Sequence, residues 1–390
     1  FKKSTRPINL LDANRYTTHV SQGDFVLNTP FAIVRTLNVN SFKRVDMVSD
    51  KDIEQYVKPV KQYSNYPVTK PNVVVLIMES YGREYLGSFN KNQSIPDFVS
   101  YTPFIDSLAQ HSLIFTNAYA NGYKSIHGMS SILAGIPSFK DAYTSSSFVK
   151  QKTHSLVSVL KEEGYDTSFF HGAPNGSMGF LGFGNILGIE HYYGKNEYVG
   201  PEAFDGKWGI FDEEFLQYFS GKMSEFKQPF FTTLFTISSH NPYIIPEQYK
   251  GKFPKGTTKI HESIAYADYA LKQFFETAAK QSWYKNTLFV ITSDHTSSEP
   301  TEDKFKNNVG KFRVPILFFD PSNPTIIGKN QKNFQQIDIM PSIVDYLKIN
   351  AKMITYGKSY QSKKDYVVYY LDNIYHYVSG DYYLAFDGKK

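Results

Sequence analysis

Asn72-Val-Val-Val-Leu-Ile-Met-Glu79-Ser80 is an unbroken apolar run, rich in β-branched residues, that follows Pro71 and stops at a carboxylate. Such a run, bounded by a turn signal, predicts a strand buried on both faces, as in the interior of a parallel sheet. In open α/β sheets ligands bind outside the carboxyl ends of the strands, and Glu79 falls there. Two readings of Glu79 are open at this point: the first polar residue after a core strand, or a side chain delivered to a site.

Outward from this run the pattern is strand–helix alternation. Residues 102–111 read as an amphipathic helix with Pro103 at its start, followed by a strand at 112–119. Residues 125–134 read as a helix stopped by Gly135 and Pro137. A helix at 154–163 closes on Gly164 and hands over to a strand at 165–170. Further strands are expected at 229–237, 287–292 and 314–319, with helices at 212–219, 262–279 and 338–347. Before residue 70 the chain looks irregular, with short helices at 30–38 and 49–56 and an extended, proline-marked linker at 57–61 and 66–71. Beyond residue 356, Tyr-rich runs at 365–371, 374–378 and 382–386 lie too close together for βαβ units and predict hairpins. The fold class is therefore α/β, a mostly parallel central sheet flanked by helices, with a small antiparallel C-terminal element. The expected division is a lead-in at 1–70, a catalytic-type domain at 71–350 and a β subdomain at 351–390.

Composition narrows the function. The net charge of +5, from 42 basic and 37 acidic residues, is small and dispersed, which argues against nucleic-acid binding and is compatible with an anionic substrate or membrane surface. The chain has no cysteine, which removes disulfides, thiolate metal sites and a cysteine nucleophile. No apolar run approaches the length of a membrane span. Because the chain starts at Phe1 rather than Met, a trimmed piece behind a missing N-terminal membrane segment is expected.

Several expected strands deliver a titratable side chain at or just past their carboxyl ends: Glu79, His171, His240 and the pair Asp294-His295. A single histidine after a strand is ordinarily structural, but carboxylate and imidazole converging from separate strands suit Zn²⁺ or Mn²⁺. Asn121-Gly-Tyr-Lys124-Ser125-Ile-His-Gly128 supplies a nucleophile candidate. Ser125 would open a helix whose free N–H groups favour an anion, with Lys124 beside it to favour an alkoxide. The competing reading makes Ser125 simply the helix N-cap.

Asn72–Ser80, Gly122-Tyr-Lys-Ser125 and Ser293-Asp294-His295, in this order, resemble the alkaline phosphatase/sulfatase superfamily. Within it the chain looks most like the lipoteichoic acid synthase and phosphoglycerol transferase branch. Phe170-His171-Gly, Ser239-His240-Asn-Pro, Arg313-Val-Pro-Ile-Leu-Phe-Phe and Gln336-Ile-Asp-Ile-Met-Pro-Ser-Ile-Val-Asp345 add to the likeness, which spans about residues 72–357. The resemblance implies an alkaline phosphatase-like fold and one divalent metal, manganese or zinc before magnesium, held by Glu79, Ser125, Asp294 and His295. It implies that Ser125 attacks phosphorus to form a phospho-enzyme. His240, with His171, would bind phosphate oxygens or protonate the leaving group. Asn175, Ser177 and Arg313 stand near motif positions as substrate contacts. It further implies an anionic phospholipid headgroup as donor, a glycan or glycolipid as acceptor, and a catalytic domain on the extracytoplasmic side of a bacterial cell membrane. Two departures matter. Lipoteichoic acid synthases usually carry Thr where this chain has Ser125, and Ser125-Ile-His-Gly-Met lacks the Pro/Ala and Arg that formylglycine formation requires in sulfatases. The alternative is a phosphodiesterase, phosphatase or sulfatase-type hydrolase of a soluble ester.

Overall fold

A strand apolar on both faces needs a hydrogen-bonding neighbour on each edge and packing above and below. The computed structural model, which describes residues 10–17, 22–36, 48–63, 67–90, 95, 98–140 and 142–389, supplies both. In chain order the strands are β1 (Val60–Tyr63), β2 (Asn72–Met78), β3 (Leu113–Tyr119), β4 (Asp166–His171), β5 (His191–Tyr193), β6 (Phe230–Phe235) and β7 (Thr287–Ser293). They continue as β8 (Ile316–Phe319), β9 (Gly328–Gln335), β10 (Ala351–Ile354), β11 (Val367–Leu371), β12 (Ile374–Ser379) and β13 (Tyr382–Phe386). Eight of them form one sheet in the order β5-β4-β6-β2-β7-β8-β3-β9. β2 lies inside it, parallel to β6 on one edge and to β7 on the other. Only β8 runs antiparallel to its neighbours.

All seven residues of β2 are buried, and their alternation divides the core into two layers. Val73, Val75 and Ile77 pack with Met129, Ile132 and Leu133 of the Ser125–Ala134 helix. Val74, Leu76 and Met78 face the other layer, which includes Ile264, Leu271 and Phe274 of the Lys259–Ala278 helix. Each such aliphatic side chain contributes roughly 1.5–3 kcal/mol through burial, so the sheet holds its strand ends in a fixed frame.

The C-terminal strands form a three-stranded antiparallel sheet. Asp372 and Asn373 join β11 to β12 with φ of 52° and 64°, the left-handed pair that a two-residue hairpin turn needs. Two expectations change. The predicted linker at 57–61 contains the start of β1, which pairs antiparallel with β10. The polar strand β9 was not anticipated at all; it pairs parallel with β3 at the sheet's edge, where water tolerates its Lys and Asn residues. The helix expected at 30–38 is seen as Thr29–Thr36, and the rest of that range lies outside the described residues. No helix among the described residues is long and apolar enough to cross a membrane.

Candidate metal centre

The parallel arrangement of β4, β6, β2 and β7 brings their carboxyl ends to one edge, and the Ser125–Ala134 helix begins there after β3. Glu79 follows β2, and Asp294-His295 follow β7. Ligand atoms of these three residues lie within 4.8 Å of one another. Ser125 Oγ stands 3.2 Å from Glu79 Oε2, to which it donates, and 3.4 Å from His295 Nε2. The helix N-cap is Lys124 and Ser125 is the first helical residue, so the hydroxyl is not spent on capping.

The turns around these ligands are tightly determined. Ser80 sits at φ 55°, a left-handed conformation that costs a non-glycine residue roughly 1–2 kcal/mol. It is held there by donation from its N–H to Asp294 Oδ1 at 2.8 Å and from its hydroxyl to Glu79 Oε1 at 2.7 Å. Tyr81 N–H donates to Ser293 Oγ at 2.8 Å. The backbone of Glu79 is gripped from the β6 side, its N–H donating to Thr236 Oγ1 and its carbonyl accepting from Ser239 Oγ.

The donor set fits a divalent cation. Asp294 Oδ1 accepts from the N–H groups of Ser80 and His295, while Oδ2 is buried without a hydrogen-bond partner. His295 Nδ1 lies 2.7 Å from the carbonyl of Thr296, which places the ring hydrogen on Nδ1. In the neutral ring Nε2 then turns a lone pair toward Asp294 Oδ2 at 3.1 Å, two electron-rich atoms with nothing positive between them. Burial, and next the charge of Asp294, push the Glu79 carboxyl up to about 8. Burial opposes charge on His295, but Asp294 and Glu79 together override it and raise its pKa. A bound cation would relieve all three conditions.

Histidine 240 lies on the loop after β6. Its Nδ1 is 2.9 Å from the carbonyl of Asn241, leaving Nε2 available, and the ring of Trp208 packs against it with centroids 4.2 Å apart. Trp208 Nε1 donates to the same carbonyl. His171 is fully buried between Phe180 and Phe235, with Nδ1 on the Phe235 carbonyl and Nε2 without a partner. None of its hydrogen bonds reaches the Glu79–Ser125–Asp294–His295 cluster. Lys124 is exposed, its ammonium over the ring of Tyr123. Two expected substrate contacts have protein partners of their own. Asn175 donates its amide to both carboxylate oxygens of Glu197 at 2.9 Å, and Arg313 donates to Asn117 Oδ1 and stacks over Tyr119. Ser177 begins a short turn of helix, and among the described residues its side chain forms no hydrogen bond to the cluster.

Two residues essential to the geometry carried no role in the sequence reading. Gln336 is fully buried, and its Nε2 donates to the carbonyls of both Ser293 and Asp294 at 2.7 Å while its Oε1 accepts from Asn121 N–H at 2.9 Å. It thus ties the end of β7 to the loop that carries Ser125. Gly128 lies one helical turn after Ser125, where a Cβ would come within 2.9 Å of the Cα and carbonyl oxygen of Asp294. Both fell inside stretches that the sequence singled out, but nothing in residue type alone signals a clamp or a close approach.

Comparison with known proteins bears on the family and the fold. Over 349 residues the chain is 25% identical to lipoteichoic acid synthase 1 of Bacillus subtilis, covering 81% of this chain and 52% of that protein. Over 277 residues it is 27% identical to phosphoglycerol transferase I of Escherichia fergusonii, covering 66% of this chain and 35% of that protein. The chain therefore spans about half or less of the length of these relatives. The crystal structure of a protein in the alkaline phosphatase superfamily from Vibrio parahaemolyticus superposes with a TM-score of 0.73 at 22% identity, over 97% of this chain and 85% of that one. The family model described as Sulfatase matches residues 71–349, the span that runs from the start of β2 through every ligand of the cluster, and by that match the chain belongs to the sulfatase family of enzymes.

Proposed function

We propose that the chain is the catalytic part of a metal-dependent phosphotransferase that moves a phosphoglycerol group from a membrane phospholipid to a glycan or glycolipid. Phosphoethanolamine is the less favoured group. The relatives named for phosphoglycerol transfer and lipoteichoic acid synthesis support the substrate class. The observation that carries the mechanism is the Ser125 hydroxyl, within hydrogen-bonding reach of Glu79 and His295 at the edge of a cation-suited cluster.

Glu79, Asp294, His295 and Ser125 would hold one divalent ion, manganese or zinc before magnesium. Such an ion supplies Lewis-acid polarisation of a phosphoryl oxygen and a lowered pKa for a ligating hydroxyl. The Ser125 proton has a ready acceptor in Glu79 Oε2. Attack by Oγ on phosphorus forms an O–P bond and breaks the bond to the lipid glycerol oxygen, leaving phosphoglycerol on Ser125. His240, its ring fixed by the Asn241 carbonyl and Trp208, would give the departing oxygen a proton through Nε2 and take one from the acceptor hydroxyl in the second half. The second half regenerates Ser125. This reading goes with a catalytic domain that works at the extracytoplasmic face of a bacterial membrane.

The test is covalent trapping. Wild type incubated with phosphatidylglycerol labelled in its headgroup, with Mn²⁺ or Zn²⁺ added, should retain label through denaturing electrophoresis, and Ser125→Ala should not. Full turnover by Ser125→Ala would sink the mechanism.

A further inference from the structure

A second feature of the same sheet edge is not absorbed by the metal cluster. Beside the end of β3 lies a cavity of about 630 Å³ whose lining includes Arg83, Arg313, Lys304, Asn117, Asn308 and Tyr383. Its lining contains three cationic side chains and no carboxylate. Among the described residues none of the three cations forms an ion pair with an acid.

The floor is the more telling part. Arg83 is 3% exposed, and its guanidinium donates only to neutral carbonyls, from Nη1 to Thr116 and from Nη2 to Phe89, while Nε is buried without a partner. Arg313 spends Nη1 on the neutral amide oxygen of Asn117 and lays its plane over Tyr119. Lys304 is exposed and forms the rim. Burial first, then Arg313, lowers the Arg83 pKa to about 10, and burial, then Arg83 and Arg313, lowers that of Lys304. Gathering cations in a partly desolvated space without a counter-charge is unfavourable unless an anion completes it. Planar guanidiniums match the oxygens of phosphate in particular.

The cavity is joined to the cluster by backbone. His295 is hydrogen-bonded to the carbonyl of Thr296, the Thr296 hydroxyl donates to the carbonyl of Lys311, and Arg83 N–H donates to the carbonyl of Arg313. The two places share no lining residue.

We propose that this cavity is a binding site for a phosphate ester, distinct from the Ser125 cluster, in which Arg83, Arg313 and Lys304 hold the anionic group. Its use as a substrate subsite rests on the transferase reading; its affinity for phosphate does not. Removing metal with a chelator takes away the cation that would draw an anion to the cluster, and dependence of the remaining binding on Lys304 and Arg313 assigns it to the cavity.

Metal-free protein should be titrated calorimetrically with inorganic phosphate and with glycerol phosphate, and sedimented with phosphatidylglycerol vesicles. Wild type should bind the soluble anions. Lys304→Gln, a change on an exposed side chain, and the double variant Lys304→Gln/Arg313→Gln should weaken that binding stepwise, by about tenfold in the double variant. Loss of vesicle sedimentation in the same variants would support a lipid headgroup as the source. Unchanged sedimentation with lost glycerol phosphate binding would support a soluble ester. Absence of phosphate binding by metal-free wild type, or equal affinity in the folded double variant, would overturn the site. Retained turnover by Ser125→Ala would instead sink the transferase reading and leave this binding result standing.

Discussion

At the scale of single residues, the most constrained position near the cluster is one without a side chain. Gly128 lets the Ser125 helix lie against the backbone of Asp294, where a Cβ would meet the Asp294 Cα and carbonyl oxygen at 2.9 Å. Helix propensity alone says that Gly128→Ala stabilises an interior helical position by about 1 kcal/mol. Packing says the opposite, because backbone cannot yield as a flexible side chain can. The helix must back away from β7, carrying the Ser125 hydroxyl from Glu79 and His295. Displacement of reacting groups by about 1 Å can cost on the order of a hundredfold in rate. Gly128→Ala should therefore keep its helical circular dichroism while transfer or phosphodiester turnover falls by about that factor. A variant that is more stable and equally active would show that the close approach has no catalytic consequence.

At the scale of elements, the site is an agreement between β7 and the loop before the Ser125 helix, and Gln336 enforces it. Replacing Gln336 with Met keeps the volume but strands two carbonyls and one N–H in a dry interior. At about 1–3 kcal/mol for each of the three unpaired groups, the loss of stability should be roughly 3–9 kcal/mol, read by urea denaturation. A clamp on the cluster also predicts weaker metal binding under conditions where the variant remains folded; unchanged metal affinity would reduce Gln336 to a core residue. The elements themselves were legible unequally. β2, β7 and the Ser125 helix announce themselves because their apolar runs exceed anything a loop would carry and because Pro71 and Gly135 punctuate them. β9, Gly-Lys-Asn-Gln-Lys-Asn-Phe-Gln, has no such signature, since an edge strand with a wet face needs no apolar alternation. Glu79, Ser125, Asp294 and His295 were readable because each sits within a residue or two of an element boundary. The partners of Asn175 and Arg313 were not readable, because nearness to a strand end does not choose a partner. Glu197 takes the Asn175 amide, and Asn117 and Tyr119 take the Arg313 guanidinium.

At the scale of the whole molecule, the sheet edge stores ionisable groups at pKa values far from their ordinary ones, and these couple folding to pH. Burial lowers His171 to about 4, against about 6.5 in an unfolded chain. Between those values the unfolded state binds the proton and the folded state does not, so this group's contribution is intact above pH 6.5 and is lost as pH falls toward 4. Burial raises the Asp212 carboxyl to about 6, although it accepts from the N–H groups of Ile237 and Ser238 on the loop to His240. There the folded state holds the proton more tightly, so its contribution is present at low pH and is lost as pH rises through 6. The two slopes oppose each other, and the total stability of wild type between pH 4.5 and 7 is a poor readout of either. The difference between proteins isolates one of them. His171→Asn removes the titrating group, so the stability gap between wild type and variant should narrow by roughly 2–3 kcal/mol on going from pH 7 to pH 4.5. Urea denaturation of both proteins in chelator, at the two pH values, measures that gap. An unchanged gap would mean that His171 accepts a proton in the folded state as freely as in water, and that its unpartnered Nε2 is reached by solvent.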